Sequence, residues 1–294
     1  MTYKQLYDQI LRKGSFLCVG LDTDMEKIPS CIKQAVSDNK LPEEEAMFLF
    51  NKAIIDATVQ YAVAYKINTA FYEAEGWKGI RQMEKTVSYL KENYPDVFVI
   101  ADAKRGDIGN TAKQYAKAFF EKMDCDAVTL SPYMGGDAIM PFLKYEGKWA
   151  IILALTSNVT AEDFETLETR PHSLEIDDES QNHVPLYERV LRQAERWGSK
   201  ENIMFVVGAT RPDQLYRIRL LSPDSFFLVP GVGAQGGTVE EVATAGMNSH
   251  CGLLVNSSRG ILYADSSVNF ASAASEKARE LVAQMRLYLN QTKR

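Results

Sequence analysis

Eight short runs, each apolar almost throughout, recur along this chain and constrain its fold more than any other feature. They are FLCVGLD (16–22), VAYKIN (63–68), VFVIADAK (97–104), DAVTLSP (126–132), WAIILALTS (149–157), IMFVVGAT (203–210), FFLVPGVG (226–233) and GLLVNSS (252–258). A strand with one wet face alternates apolar and polar residues, whereas a strand buried on both faces does not. Between the runs lie helix-like patterns such as EEEAMFLFNKAIIDATVQYA, KGIRQMEKTVSYLKEN, NTAKQYAKAFFEKM and PLYERVLRQAERWG, and SEKARELVAQMRLYLN closes the series. Eight strand–helix alternations with short connections predict an α/β fold of the (β/α)8 TIM-barrel type, one barrel domain over residues 1–294. A doubly wound open sheet is the alternative, and it lacks a GxGxxG signature here.

Two departures from a minimal barrel are expected. Residues 1–14 read as an added amphipathic helix that plugs the barrel's bottom. Residues 159–183, VTAEDFETLETRPHSLEIDDESQNH, form a long polar insert after the fifth strand, expected to be a lid or an exposed loop.

With 46% apolar and 24% charged residues, the 294-residue chain is composed like a globular protein, not a disordered one. Its net charge of −6 argues against a nucleic-acid or anionic-membrane partner. Cys18, Cys31, Cys125 and Cys251 are scattered without a CxxC pair, which predicts reduced thiols and a cytoplasmic protein. The opening MTYKQLYDQILRKGSF lacks the apolar core of a signal peptide, and no stretch reaches the ~18 apolar residues of a membrane span.

Polar groups gather where the apolar runs end: Asp22, Lys66, Asp102 with Lys104, Ser131, Ser157, Thr210, Gly231 with Gly233, and Ser258 with Arg259. In a barrel all these ends open on one face, where active sites sit. PGVGAQGG (230–237) follows the seventh run and NSSRG (256–260) the eighth, the two loops that commonly bind phosphate in barrels. Arg259 adds a forked cationic donor and Gln235 a neutral one.

The sharpest cluster is charged. Asp102 and Lys104 are two residues apart, so a regular strand projects both to one face, and Lys66 and Asp22 end the neighbouring strands. The order + − + is either an ion-pair network closing the barrel mouth or a site where chemistry occurs. Asp22 and Asp102 could also ligate Mg²⁺, although the adjacent lysines compete for their carboxylates. A catalytic histidine is not expected: His172 and His183 fall in the insert, and His250 precedes the eighth run. No GxSxG elbow is present for acyl transfer.

DAKRGDIGNT resembles the DxKxxD signature of the orotidine 5′-phosphate decarboxylases, and VGLD, AYKIN, TSN, PGVGAQGG and NSSRGI follow that family's order over nearly the whole chain. Length and insert are similar to its longer bacterial subgroup. The resemblance implies conversion of orotidine 5′-phosphate to uridine 5′-phosphate and CO₂, the last step of UMP biosynthesis, with no cofactor and no metal. It implies Lys104 as proton donor to C6, Asp102 against the substrate carboxylate, Lys66 orienting Asp102, and Asp22 on the ribose. Asp107, with Ile108 and Thr111, would reach across a homodimer interface into the neighbour's site. Ser157 would read the pyrimidine edge, with Asn158 open as the alternative, and Gln235 and Arg259 would hold the phosphate.

Two rivals are disfavoured, the first by Lys66 and the second by the intact Asp22, Lys66, Asp102, Lys104 and Asp107 set. Sugar-phosphate decarboxylases and aldol-type synthases of the same superfamily share DxKxxD but use Mg²⁺, with a carboxylate ligand where this chain has Lys66. A phosphate-ligand-binding barrel without catalysis is the other.

Overall fold

The computed structural model describes residues 1–38, 40–170, 183–233 and 236–290. Each of the eight apolar runs forms a strand: β1 (Leu17–Gly20), β2 (Ala62–Asn68), β3 (Phe98–Arg105), β4 (Ala127–Leu130), β5 (Trp149–Leu155), β6 (Ile203–Val207), β7 (Phe226–Pro230) and β8 (Leu253–Ser257). They close into a barrel in chain order, with every neighbouring pair parallel and β1 pairing both β2 and β8. The expected (β/α)8 barrel is therefore present. Its strands are buried over nearly their whole length, as near-continuous apolar sequence requires.

The bottom is plugged as expected. Helix Tyr3–Lys13 starts with a capping box from Thr2 and Gln5 and lays Leu6 and Ile10 into the core. Its polar groups reach the chain just before the strands: Tyr3 Oη donates to the Asp224 carbonyl at 3.0 Å, Gln9 Nε2 to that of Asp96 at 2.7 Å, and Lys13 Nζ to Val59 and Ala62 at 2.7 and 2.6 Å. Trp149 Nε1 returns a bond to the Met1 carbonyl at 2.7 Å.

The insert differs from a plain exposed loop. Val159–Asp163 is a 3-10 turn, and Glu168–Thr169 pairs antiparallel with Val184–Pro185. Residues 171–182, including His172, lie outside the described residues. Backbone bonds from Leu186 to Leu167 and from Tyr187 to Glu165 seat the described part on helix Leu186–Trp197. Polar composition concealed this order, because the segment's partners are backbone carbonyls and not an apolar stripe.

Candidate active site

The C-terminal strand ends surround a cavity of about 350 Å³, lined among others by Asp22, Lys66, Asp102, Lys104, Ser157, Asn158 and Arg259. On its floor Lys66 Nζ lies 2.7 Å from Asp102 Oδ2 and 3.3 Å from Asp22 Oδ1. Lys104 Nζ lies 2.6 Å from Asp102 Oδ1. Lys66 and Asp102 are buried, whereas the Lys104 side chain is half exposed.

Burial alone would push the Asp102 carboxyl up, but the flanking ammonium groups of Lys66 and Lys104 outweigh it and hold its pKa well below the usual range. Burial likewise works against charge on Lys66. Asp102 and Asp22 overcome that penalty and raise its pKa above the ordinary value for lysine. A chain of alternating charges thus keeps both groups ionised in a place where either alone would be neutralised.

The Asp102–Lys104 contact does not arise from simple strand alternation, and here the sequence expectation is corrected. Ala101 pairs with Val128 and Arg105 with Leu130, so four steps along β3 match two along β4. A bulge occupies the difference, and Lys104 takes the left-handed φ of +46°. For a non-glycine residue this conformation is costly, and it re-aims the lysine toward Asp102.

Across the cavity, Gly231 and Gly233 adopt φ of +103° and +80°, as the turn after β7 requires. The amides of Gly233, Gly236 and Gly237 bond within the loop itself. Arg259 is exposed on the cavity rim, while Gln235 lies outside the described residues. Close approach explains a glycine elsewhere. A Cβ on Gly20 would fall 1.9 Å from Ser258 Oγ, so glycine in β1 is what admits serine beside Arg259.

Ser157 and Asn158 both line the cavity. Asp107, Ile108 and Thr111 do not: they are exposed beyond the bulge, where Asp107 Oδ1 accepts the Ile108 amide at 2.7 Å.

Three polar residues escaped the sequence reading. Thr129 Oγ1 donates to Asp102 Oδ1 at 2.9 Å, and nothing in the run AVTL singles it out. Asn256 lines the cavity with a buried Oδ1 that has no partner among the described residues, and its place in NSSRG was the available signal. Glu165, from the insert, accepts the Thr156 amide at 2.7 Å and its hydroxyl at 2.8 Å, clamping the loop that carries Ser157 and Asn158.

A closed parallel barrel with its charges converging on one cavity at the strands' C-terminal ends is a TIM-barrel enzyme. The model of the orotidine 5′-phosphate decarboxylase / HUMPS family matches residues 15–274, and the chain belongs to that family. It is 54% identical over 285 residues to orotidine 5′-phosphate decarboxylase of Phocaeicola vulgatus, covering 97% of this chain and 98% of that one. To the same-named protein of Porphyromonas gingivalis it is 52% identical over 289 residues, with 98% of each chain covered. Among solved structures, the OMP decarboxylase of Leishmania donovani matches with a TM-score of 0.77 at 32% identity, over 98% of this chain and 100% of that one.

Proposed function

We propose that this chain decarboxylates orotidine 5′-phosphate to uridine 5′-phosphate, in pyrimidine biosynthesis in the cytoplasm, by electrostatic catalysis without metal or organic cofactor. The observation that carries this reading is the continuous Asp22–Lys66–Asp102–Lys104 chain on the cavity floor. Loss of CO₂ from C6 leaves an sp² carbanion whose electron pair lies in the ring plane, out of reach of the ring's π system. Fixed charges must then stabilise it. Lys104, half exposed at the end of the chain of charges, stabilises that pair and protonates C6. Asp102 lies against the substrate carboxylate, so repulsion between the two is relieved as CO₂ departs. Lys66 holds Asp102, and Asp22 takes a ribose hydroxyl.

Ser157 or Asn158 reads the pyrimidine edge, and Arg259 with Gln235 grips the phosphate. That remote grip supplies binding energy realised at the transition state. Lys66 Nζ, between two carboxylates, fills the position that a bridging Mg²⁺ would need, which favours this reading over the metal-dependent rivals.

Asp107, Ile108 and Thr111 act in the site of a second copy within a homodimer. Their exposure, beside exposed Tyr133 and Met134 of the next loop and Met140 on the helix that follows, supports that arrangement. Mixing the purified protein with orotidine 5′-phosphate in excess EDTA tests the reading. Metal-independent loss of the substrate's absorbance is expected, and activity abolished by EDTA and restored by Mg²⁺ would sink it.

A further inference from the structure

Resting on the decarboxylase reading, we infer that Thr129 is a positioning residue whose one hydroxyl locks the Asp102–Lys104 pair into its reactive geometry. The bulge in β3 removes the Lys104 amide from the regular ladder to β4. Thr129 Oγ1 accepts that amide at 2.9 Å and donates its own proton to Asp102 Oδ1, also at 2.9 Å. A hydroxyl has one proton and two lone pairs, so both bonds form together without conflict.

The consequences meet at two residues. Lys104 holds a left-handed φ of +46°, which L-residues keep only where surroundings over-determine it, and the bond to its amide provides that restraint. Asp102 Oδ1 is shared between Thr129 and Lys104, while Oδ2 faces Lys66. The carboxylate plane is therefore fixed from three sides, and only one of these donors is uncharged. Thr129 is itself buried, so water does not substitute for its hydroxyl. Its position mid-strand on β4, one strand from the charged pair, makes it a brace that does not need to touch substrate.

Thr129→Val keeps the shape and deletes the hydroxyl. The expected result is a fall in kcat of about a hundredfold, in line with misplacement of a reacting group by about 1 Å. KM and uridine 5′-phosphate affinity should change by less than about threefold, and Thr129→Ser should restore most of kcat. Thr58→Val removes another buried hydroxyl, bonded to the Ile54 carbonyl at 2.7 Å, and should lower Tm while leaving kcat intact. If Val at 129 prevents folding, Thr129→Cys carries the same comparison, because a thiol of similar size replaces the hydroxyl with a much weaker acceptor and donor.

A crystal structure of the variant reads the same point without turnover: Lys104 should leave the left-handed region or Asp102 should rotate. Unchanged positions of both side chains would overturn the inference whatever the activity. So would a kcat within twofold of an active wild type. A wild type that does not consume orotidine 5′-phosphate would instead overturn the decarboxylase reading, leaving the brace to be judged by that crystal structure.

Discussion

The two ends of this barrel both bury charge, yet they treat it in opposite ways. At the bottom, Arg219 is buried against the Phe227 ring and donates to the carbonyls of Gly246, Ser222, Pro223, Ser225 and Gly252. Among the described residues no carboxylate pairs with it, and burial lowers its pKa to about 10. The guanidinium there ties off backbone carbonyls at the entry to β7 and β8. At the mouth, Lys66, Asp102 and Lys104 satisfy one another side chain to side chain, around a cavity where Asn256 Oδ1 has no partner among the described residues. Charge saturated by backbone serves stability, whereas charge satisfied mainly by other side-chain charges is available to a ligand that rearranges it.

Lys104→Ala is the largest expected break in this comparison. Deleting the proton donor should lower kcat by about a thousandfold or more, with product-nucleotide affinity nearly kept. A kcat within about tenfold, or ~1.4 kcal/mol of barrier, would remove Lys104 from that role.

Arg219→Met tests the other end. It should cost about 3 kcal/mol by leaving buried carbonyls unpaired, and lower Tm by about 10 °C. At 20 °C kcat should stay within about twofold of wild type. An unchanged Tm, or a tenfold loss of kcat, would erase the distinction between the ends.

The smallest effect is a pH dependence. Because Asp102 is held below its ordinary pKa, its stabilising contribution is complete above the unfolded value of about 4 and is lost as pH falls toward the folded one. Lys66, raised, contributes fully below about pH 10.4 and loses that contribution as pH rises through its folded value. Neither group therefore changes charge between about pH 5 and pH 9. Asp102→Asn should cost about 2 kcal/mol in urea unfolding at pH 7, and the gap should narrow as pH drops from 4 toward 2.5. A gap that stays constant or widens on acidification would show that the carboxylate is not stabilised as its neighbours imply.

The barrel and the mouth's principal charges were legible in the chain because both are written locally. Strands buried on two faces need unbroken apolar runs, and a parallel barrel places every run's polar end on one rim. The long insert was legible only as an interruption. The order of its described part comes from Glu165 bonding back to Thr156 and from backbone pairing, neither of which leaves a periodic trace.

By itself, then, the sequence determined the order of eight strands, the helix beneath them and the strand ends that carry Asp22, Lys66, Asp102 and Lys104. Only the tertiary structure decided how those residues meet. The bulge that turns Lys104, the hydroxyl of Thr129 that reaches Asp102 from 27 residues away, and the Gly20 gap that admits Ser258 all depend on neighbouring strands. The physical reason is register: periodicity specifies which face a residue takes, whereas the partner strand specifies what it touches.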